Sequence, residues 1–246
     1  FSLRAVAIAA LMVLCLRPEA LMGPGFQMSF AATVALVAVF GWLRDSQISL
    51  GPKWRRPVVA VVISSAVAGA ATAPIGAAHF NTISHYGLVA NLLSVPLMGV
   101  LVIPAAVLAI CLVPLGLEFI GLWAMGLGLR WILGVAHWVA GLEGARGFVP
   151  GPDVTVLPLM ALGLLFVILW QGRARWIGVV PALAALVLWV QSERPVALIA
   201  DTGGLVGVMT GQGRALSKSR GAGFIALNWL ENDGDGVSQE QAAIRW

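Results

Sequence analysis

Charge is scarce in this sequence. Asp, Glu, Lys and Arg make up 11% of its 246 residues, where a soluble domain carries about a quarter. Hydrophobic residues make up 59%, and a bilayer is the solvent that favours such a chain. Cysteine is almost missing. Cys15 and Cys111 lie inside apolar stretches and read as small core residues. The three histidines, His79, His85 and His137, lack the spacing of a metal site, and none follows His137. There is no glycine loop to cradle phosphate, no nucleophile elbow and no pair of catalytic carboxylates. No internal repeat stands out beyond the helical period. These gaps point away from an enzyme and away from any cofactor or bound metal. Passage or binding is the expected business of this chain.

What the sequence does have is seven long apolar blocks, at 1–16, 25–43, 57–73, 87–113, 115–142, 154–170 and 176–190. A helix needs about 20 apolar residues to cross the hydrocarbon, and the second, third, sixth and seventh blocks are each close to one crossing. The first block starts at Phe1 without an initiator Met and reads as mid-helix, so the chain reads as a piece of a longer protein. The charges set the orientation. Arg44, Lys53, Arg55 and Arg56 separate blocks two and three, Arg173 and Arg175 separate blocks six and seven, and 74–86 has no Lys or Arg. Basic loops stay cytoplasmic. Loops 44–56 and 171–175 are therefore expected inside, with 17–24, 74–86, 143–153 and the tail from Gln191 outside. Blocks four and five satisfy this if both cross. They also satisfy it if neither does, one being re-entrant and the other lying flat.

Those two blocks carry the candidate pathway residues. Block four contains Asn91, Pro96, Gly99 and Pro104. Two prolines each remove a backbone donor and crowd the preceding turn, so a discontinuous helix is expected. Such a break lines a pathway, or is an ordinary kink satisfied by neighbours. In block five Trp123, Arg130 and His137 recur every seven residues and share a face, beside Trp131 and Trp138. That face is either a polar stripe along a conduit or the interfacial side of a helix lying in the headgroups. Block three, with Ser64-Ser65-Ala66 and Ala68-Gly69-Ala70-Ala71, is built for close helix packing.

Composition changes at Gln191, after which 11 of the 26 charged residues fall. Strands are expected at 195–200 and 205–210, joined through Asp201-Thr202-Gly203-Gly204, with a turn at 211–213 and a helix at 224–231. So small a piece is not expected to hold a core of its own. Asp201-Thr202-Gly203 matches half of an aspartic-protease pair, and with no second triplet it reads as a turn. Glu231-x-Asp233-x-Asp235-Gly236 looks like half a calcium loop. It has Ala242 where the bidentate Glu belongs and Ser238 at the eighth place, so it is set aside.

Two stretches resemble a known family. Leu16-Arg17-Pro18-Glu19-Ala20-Leu21, then Pro24-Gly25-Phe26-Gln27-Met28-Ser29-Phe30-Ala31-Ala32, is similar to ComEC-type competence proteins. So is His79-Phe80-Asn81-Thr82-Ile83-Ser84, running into Leu88-Val89-Ala90-Asn91-Leu92-Leu93-Ser94-Val95-Pro96-Leu97. Both occur in the right order and separation. The likeness covers about residues 1–113, with hydropathy alone carrying it to 190. The tail, with Asn228-Trp229-Leu230, is loosely similar to the region that follows the competence domain. The resemblance implies a channel in the bacterial inner membrane that passes single-stranded DNA into the cytoplasm during natural transformation. Its implied partners are that DNA, membrane lipids, other competence proteins, the rest of the same polypeptide and a second copy of the chain. A His-x-His-x-Asp-His nuclease motif, carried by many members, is missing here.

The expected fold is an all-α polytopic membrane protein of five to seven membrane helices, one broken or re-entrant and one interfacial. Residues 1–190 form the membrane segment, and 191–246 begin a short extracytoplasmic α/β fragment. Two other classes remain open. One is a small-solute or lipid transporter with its site at the broken helix 87–113. The other is a non-transporting membrane scaffold.

Overall fold

The computed structural model describes residues 2–48 and 51–246. Phe1 of the first block and residues 49–50 of the basic 44–56 loop lie outside the described residues. Helices follow the apolar blocks, as an all-α polytopic membrane protein requires. They are α1 (Leu3–Leu16), α2 (Pro24–Asp45), α3 (Arg56–Phe80), α4 (Gly87–Leu97), α5 (Ile103–Leu112), α6 (Glu118–Ala140), α7 (Val156–Leu169) and α8 (Val179–Val190). Among the described residues, five helical segments are long and apolar enough to cross a membrane: Pro24–Asp45, Arg56–Phe80, Gly87–Leu115, Glu118–Ala140 and Arg173–Val190. At most 17% of any such apolar window is buried. The flanks of these helices are therefore apolar and uncovered, which suits hydrocarbon.

Several boundaries differ from expectation. In α1, described from Leu3, the Ser2 hydroxyl accepts from the Ala5 N–H. Both α1 and α7 have 14 residues, about 21 Å of helix, so block six falls short of the full crossing its length promised. Most of the expected 74–86 loop is helical. α3 runs on to Phe80 with Pro74 inside it, and a proline is tolerated in a membrane helix where neighbours satisfy the freed carbonyl.

Block four does not unwind. α4 passes into a π-helical turn, Met98–Val102, and then into α5. The Ile103 N–H reaches the Met98 carbonyl, one residue further back than in an α-helix. Backbone angles at Leu97, Met98, Val102 and Ile103 all stay right-handed helical. The expected break is thus a widened turn between the two prolines, and no re-entrant loop forms. One carbonyl a turn before Pro96, that of Leu93, accepts from the Trp131 indole at 3.2 Å.

The chain forms two compact units. The second comprises 39–70 and 84–147, and its centre is the antiparallel pair formed by α4–α5 with α6. A left-handed Gly116 (φ 69°) closes the connection. The helices touch backbone to backbone. A Cβ on Gly121 would lie 2.5 Å from the Ala109 nitrogen, and one on Gly128 would lie 2.6 Å from a Val102 methyl. Because α4–α5 and α6 lie side by side along their length, they share one direction.

The first unit comprises residues up to Ala38, 71–83 and 148–246. In it α7 and α8 form a second tight hairpin, where a Cβ on Gly163 would lie 2.6 Å from the Gly178 carbonyl oxygen. Val156, Met160 and Ala185 form the buried core of that hairpin. Asp153 sets the entry to α7. Its carboxylate accepts from the Thr155 backbone N–H and hydroxyl, and these bonds hold its pKa below the ordinary 3.8. A lowered carboxylate stabilises the turn above its unfolded pKa and loses that contribution as pH falls through the folded one.

The tail has more structure than its length promised. Strands β3 (Ala197–Ile199), β4 (Val206–Thr210) and β5 (Gly213–Leu216) form an antiparallel sheet in chain order. Ala197 pairs with Val208, and Met209 with Arg214. Helices α9 (Gly223–Asn232) and α10 (Gln239–Ile244) complete it. Ala200, Leu205, Leu216, Ala226, Leu230 and Ala242 close a core, so the expectation of a coreless fragment does not hold. Asp201-Thr202-Gly203 is a turn. The Asp201 carboxylate accepts from the Thr202 N–H, and the Gly203 N–H returns to Ala200. β1 (Thr82–Ser84) and β2 (Arg146–Phe148) form a separate two-stranded ribbon.

Candidate functional site

The two recognised stretches meet at the start of α2 and the end of α3. Pro24 opens α2, where a missing N–H costs nothing. One turn in, the Gln27 amide nitrogen donates to the Leu21 carbonyl at 2.9 Å. That bond fixes the amide orientation and turns Oε1 outward. His79 Nε2 sits 2.9 Å from that oxygen. An amide oxygen only accepts, so His79 holds its proton on Nε2. Phe26 and Phe30 brace the same helix face, with ring centroids 4.3 Å apart.

Asn81 ends α3 in the left-handed region, at φ 54°, which Asn tolerates better than most residues. Its N–H bonds to Ala77, its carbonyl accepts from the Val149 N–H at 2.9 Å, and its amide nitrogen reaches the Val149 carbonyl at 3.4 Å. Asn81 thus supplies both the terminating turn and the clamp on Val149, just past β2. Gly25, Ser29, Phe80 and Ser84 are exposed. Just after the ribbon, in the second unit, His85 Nδ1 lies 2.6 Å from the Gly144 carbonyl.

Beside this cluster the first unit holds an apolar cleft of about 670 Å³, walled by Ala73, Pro74, Ala77, Val149, Pro150 and Trp189 among others. None of the six pathway candidates lines it. Asn91, Pro96, Pro104, Trp123, Arg130 and His137 are all exposed and do not converge. On α6 the buried face is Gly121, Gly128, Val135 and Val139. The Trp123, Arg130, His137 stripe lies two residues further along each time, about 200° round the helix, and so faces away from α5. The Arg130 Nε donates to the Gly126 carbonyl of its own helix at 3.3 Å.

Sequence reasoning missed the ion network of the tail. Arg214, fully buried, forks onto Asp233, which also receives Arg194 at 3.1 Å. Asp235 pairs with Arg245. Both aspartates of what looked like half a calcium loop are therefore taken by arginines. The one missed signal that was legible is Ser238-x-x-Gln241, a capping box that starts α10.

A family model described as Competence protein matches residues 2–174. The chain belongs to the competence-protein family. No curated protein matches the chain, and no solved structure does. The matched span holds both recognised stretches and four of the five long apolar segments, and it ends at the start of the fifth, Arg173–Val190. Family membership indicates a role in DNA uptake for transformation, and the apolar helices make it a membrane protein. Within the family's matched span, the Gln27–His79 bond ties two motif positions 52 residues apart. Gln27→Leu removes both of its hydrogen bonds and leaves His79 without its acceptor. The expected loss is about 1–2 kcal/mol, read as a lower melting temperature in detergent. A melting curve identical to the parent's would show that the pair carries no stability.

Proposed function

We propose that this chain is the membrane part of a ComEC-type translocator that passes single-stranded DNA across the bacterial inner membrane. The observation that carries this reading is the family match over residues 2–174. In this reading α3, α4–α5, α6 and the short α7 all cross, the bilayer thinning around α7, which gives an even count between the basic loops 44–56 and 171–175. Those loops are cytoplasmic in this reading. Asn81 bonded to Val149, and Gly151 bonded to Asn232, support a common extracytoplasmic side for 74–86, 143–153 and the tail. The continuous helical backbone of block four weighs against the solute-transporter reading, which needs unwound backbone to hold its substrate. The chain acts as a conduit without chemistry of its own. Arg130 and the tryptophans beside it suit a backbone-tracking and stacking path for a single strand.

Deleting the full-length gene should leave labelled DNA bound at the cell surface but abolish its arrival in the cytoplasm. Normal internalisation in the deletion strain would sink the proposal. Sidedness has its own check. With Cys15 and Cys111 replaced, Lys53→Cys and Arg173→Cys should resist an impermeant thiol reagent in intact spheroplasts and react after permeabilisation. Labelling of either from outside would reverse the topology.

A further inference from the structure

The turn at 232–236 grips residues 148–151 far more closely than a tail resting on a loop requires. The Gly151 N–H donates to the Asn232 carbonyl at 2.9 Å, and Arg194 donates to the carbonyls of both Gly151 and Asn232. Glycines on both sides leave no room for a side chain. A Cβ on Gly151 would lie 2.6 Å from the Asn232 amide oxygen, and one on Gly234 would lie 2.7 Å from the Pro150 nitrogen. A Cβ on Gly236 would strike the Phe148 ring. Behind the turn stands Asp233, held by the buried Arg214 and by Arg194. That pair makes the turn rigid, because a buried arginine cannot let go of its carboxylate without stranding a charge.

The gripped segment leads directly to the family motif. Val149 is bonded to Asn81 on both its N–H and its carbonyl. The Asn81 N–H bonds to Ala77, which is 1% exposed and lines the apolar cleft. Val149 and Pro150 belong to the same lining, and the Trp189 indole donates to the Pro150 carbonyl at 2.8 Å. The cleft wall formed by 148–151 is thus fastened at one end by Asn81 and at the other by the tail.

We propose that the tail is a latch: its 232–236 turn holds the strap 148–151 in place, and release of the turn frees the strap from Asn81 and opens the apolar cleft. The half calcium loop seen in the sequence is this latch. Nothing in the proposal depends on what the membrane segment transports, so its test does not use uptake.

Amide hydrogen exchange on the full-length protein in detergent decides it. In Asp233→Asn the Gly151 and Val149 amides should exchange at least tenfold faster, while those of α7 and α8 keep their protection. Asp233→Asn leaves Arg214 uncompensated and threatens the tail's own fold, so a second variant keeps Asp233. Gly236→Val drives its side chain into the Phe148 ring, whereas a side chain at Gly151 would also meet the Asn81 amide nitrogen at 3.1 Å. Gly236→Val should speed the Val149 amide to a similar degree while the β4 and β5 amides stay protected. Unchanged Val149 protection in both variants would overturn the latch, because the strap would then be held by Asn81 alone. Loss of protection throughout α7 and α8 would overturn it too, by showing that the turn supports the whole unit and not the strap.

Discussion

Gly121→Val drives α5 and α6 apart and lowers the amount of protein in the membrane. The reason is the identity of the atoms facing Gly121. An added Cβ would meet the nitrogen of Ala109 at 2.5 Å, its Cα at 2.6 Å and the Ala105 carbonyl oxygen at 2.7 Å. All three are backbone, so no side chain can swing aside. In lipid, helix pairs are held by close van der Waals contact and not by a hydrophobic drive, so a lost close approach has no substitute. Overpacking of this kind costs about 1–3 kcal/mol, about 2–12 °C of melting temperature in a chain of this size. Gly126→Ala and Gly134→Ala are the controls, since nothing lies within 4 Å of either position. Both should melt like the parent in detergent and reach the same level on an immunoblot. A parent-like Gly121→Val would mean that the two helices are not packed as described.

Arg130→Ala should cut transformation about 10- to 100-fold at matched protein level, the range expected for losing a hydrogen bond to a charged group. Arg130 is in the middle of the 23-residue α6 and is exposed on the face turned from α5. A cation there is costly against lipid, at least about 2.5–3.5 kcal/mol on insertion scales. Its hydrogen bond to the Gly126 carbonyl engages Nε and leaves the guanidinium its charge. In the DNA reading, passing phosphates compensate that charge. Arg130→Lys should then retain part of the activity, because tracking a backbone needs charge more than a planar fork. If α6 lies in the headgroups instead, Arg130 snorkels and its loss changes little. Unchanged transformation in Arg130→Ala would remove this residue from the conduit.

The membrane segment was legible in the sequence because burial in lipid leaves a signal in composition alone, and every apolar block became a helix. The errors lie where a local rule met a tertiary answer. Residues 74–86 read as a loop, yet α3 runs through Pro74 to Phe80, and Pro96 with Pro104 reads as a break. The backbone absorbs the latter pair in one widened turn, Met98–Val102, while an indole from α6 takes up the Leu93 carbonyl. Neither solution leaves a trace in spacing. The tail shows the same limit. Asp233 and Arg214 are 19 residues apart and on different elements, so a carboxylate run looked like a cation loop. At the site, the Gln27 and His79 motifs were each legible, but their hydrogen bond was not, since nothing in either stretch gives the distance to the other.

The strap has a consequence for the order of events during synthesis. Its partners leave the ribosome at very different times. Asn81 precedes Val149 in the chain, whereas Asn232 follows Gly151 by about 80 residues, some 4–16 s of translation at bacterial or slower speeds. In that interval the helices before the tail can already have entered the membrane, with the strap fastened at one end only. Closing the second end then comes after those helices are in place. Ribosomes stalled before Asp233 should therefore hold a nascent chain whose strap is cut readily by protease, and extension past Trp246 should protect it.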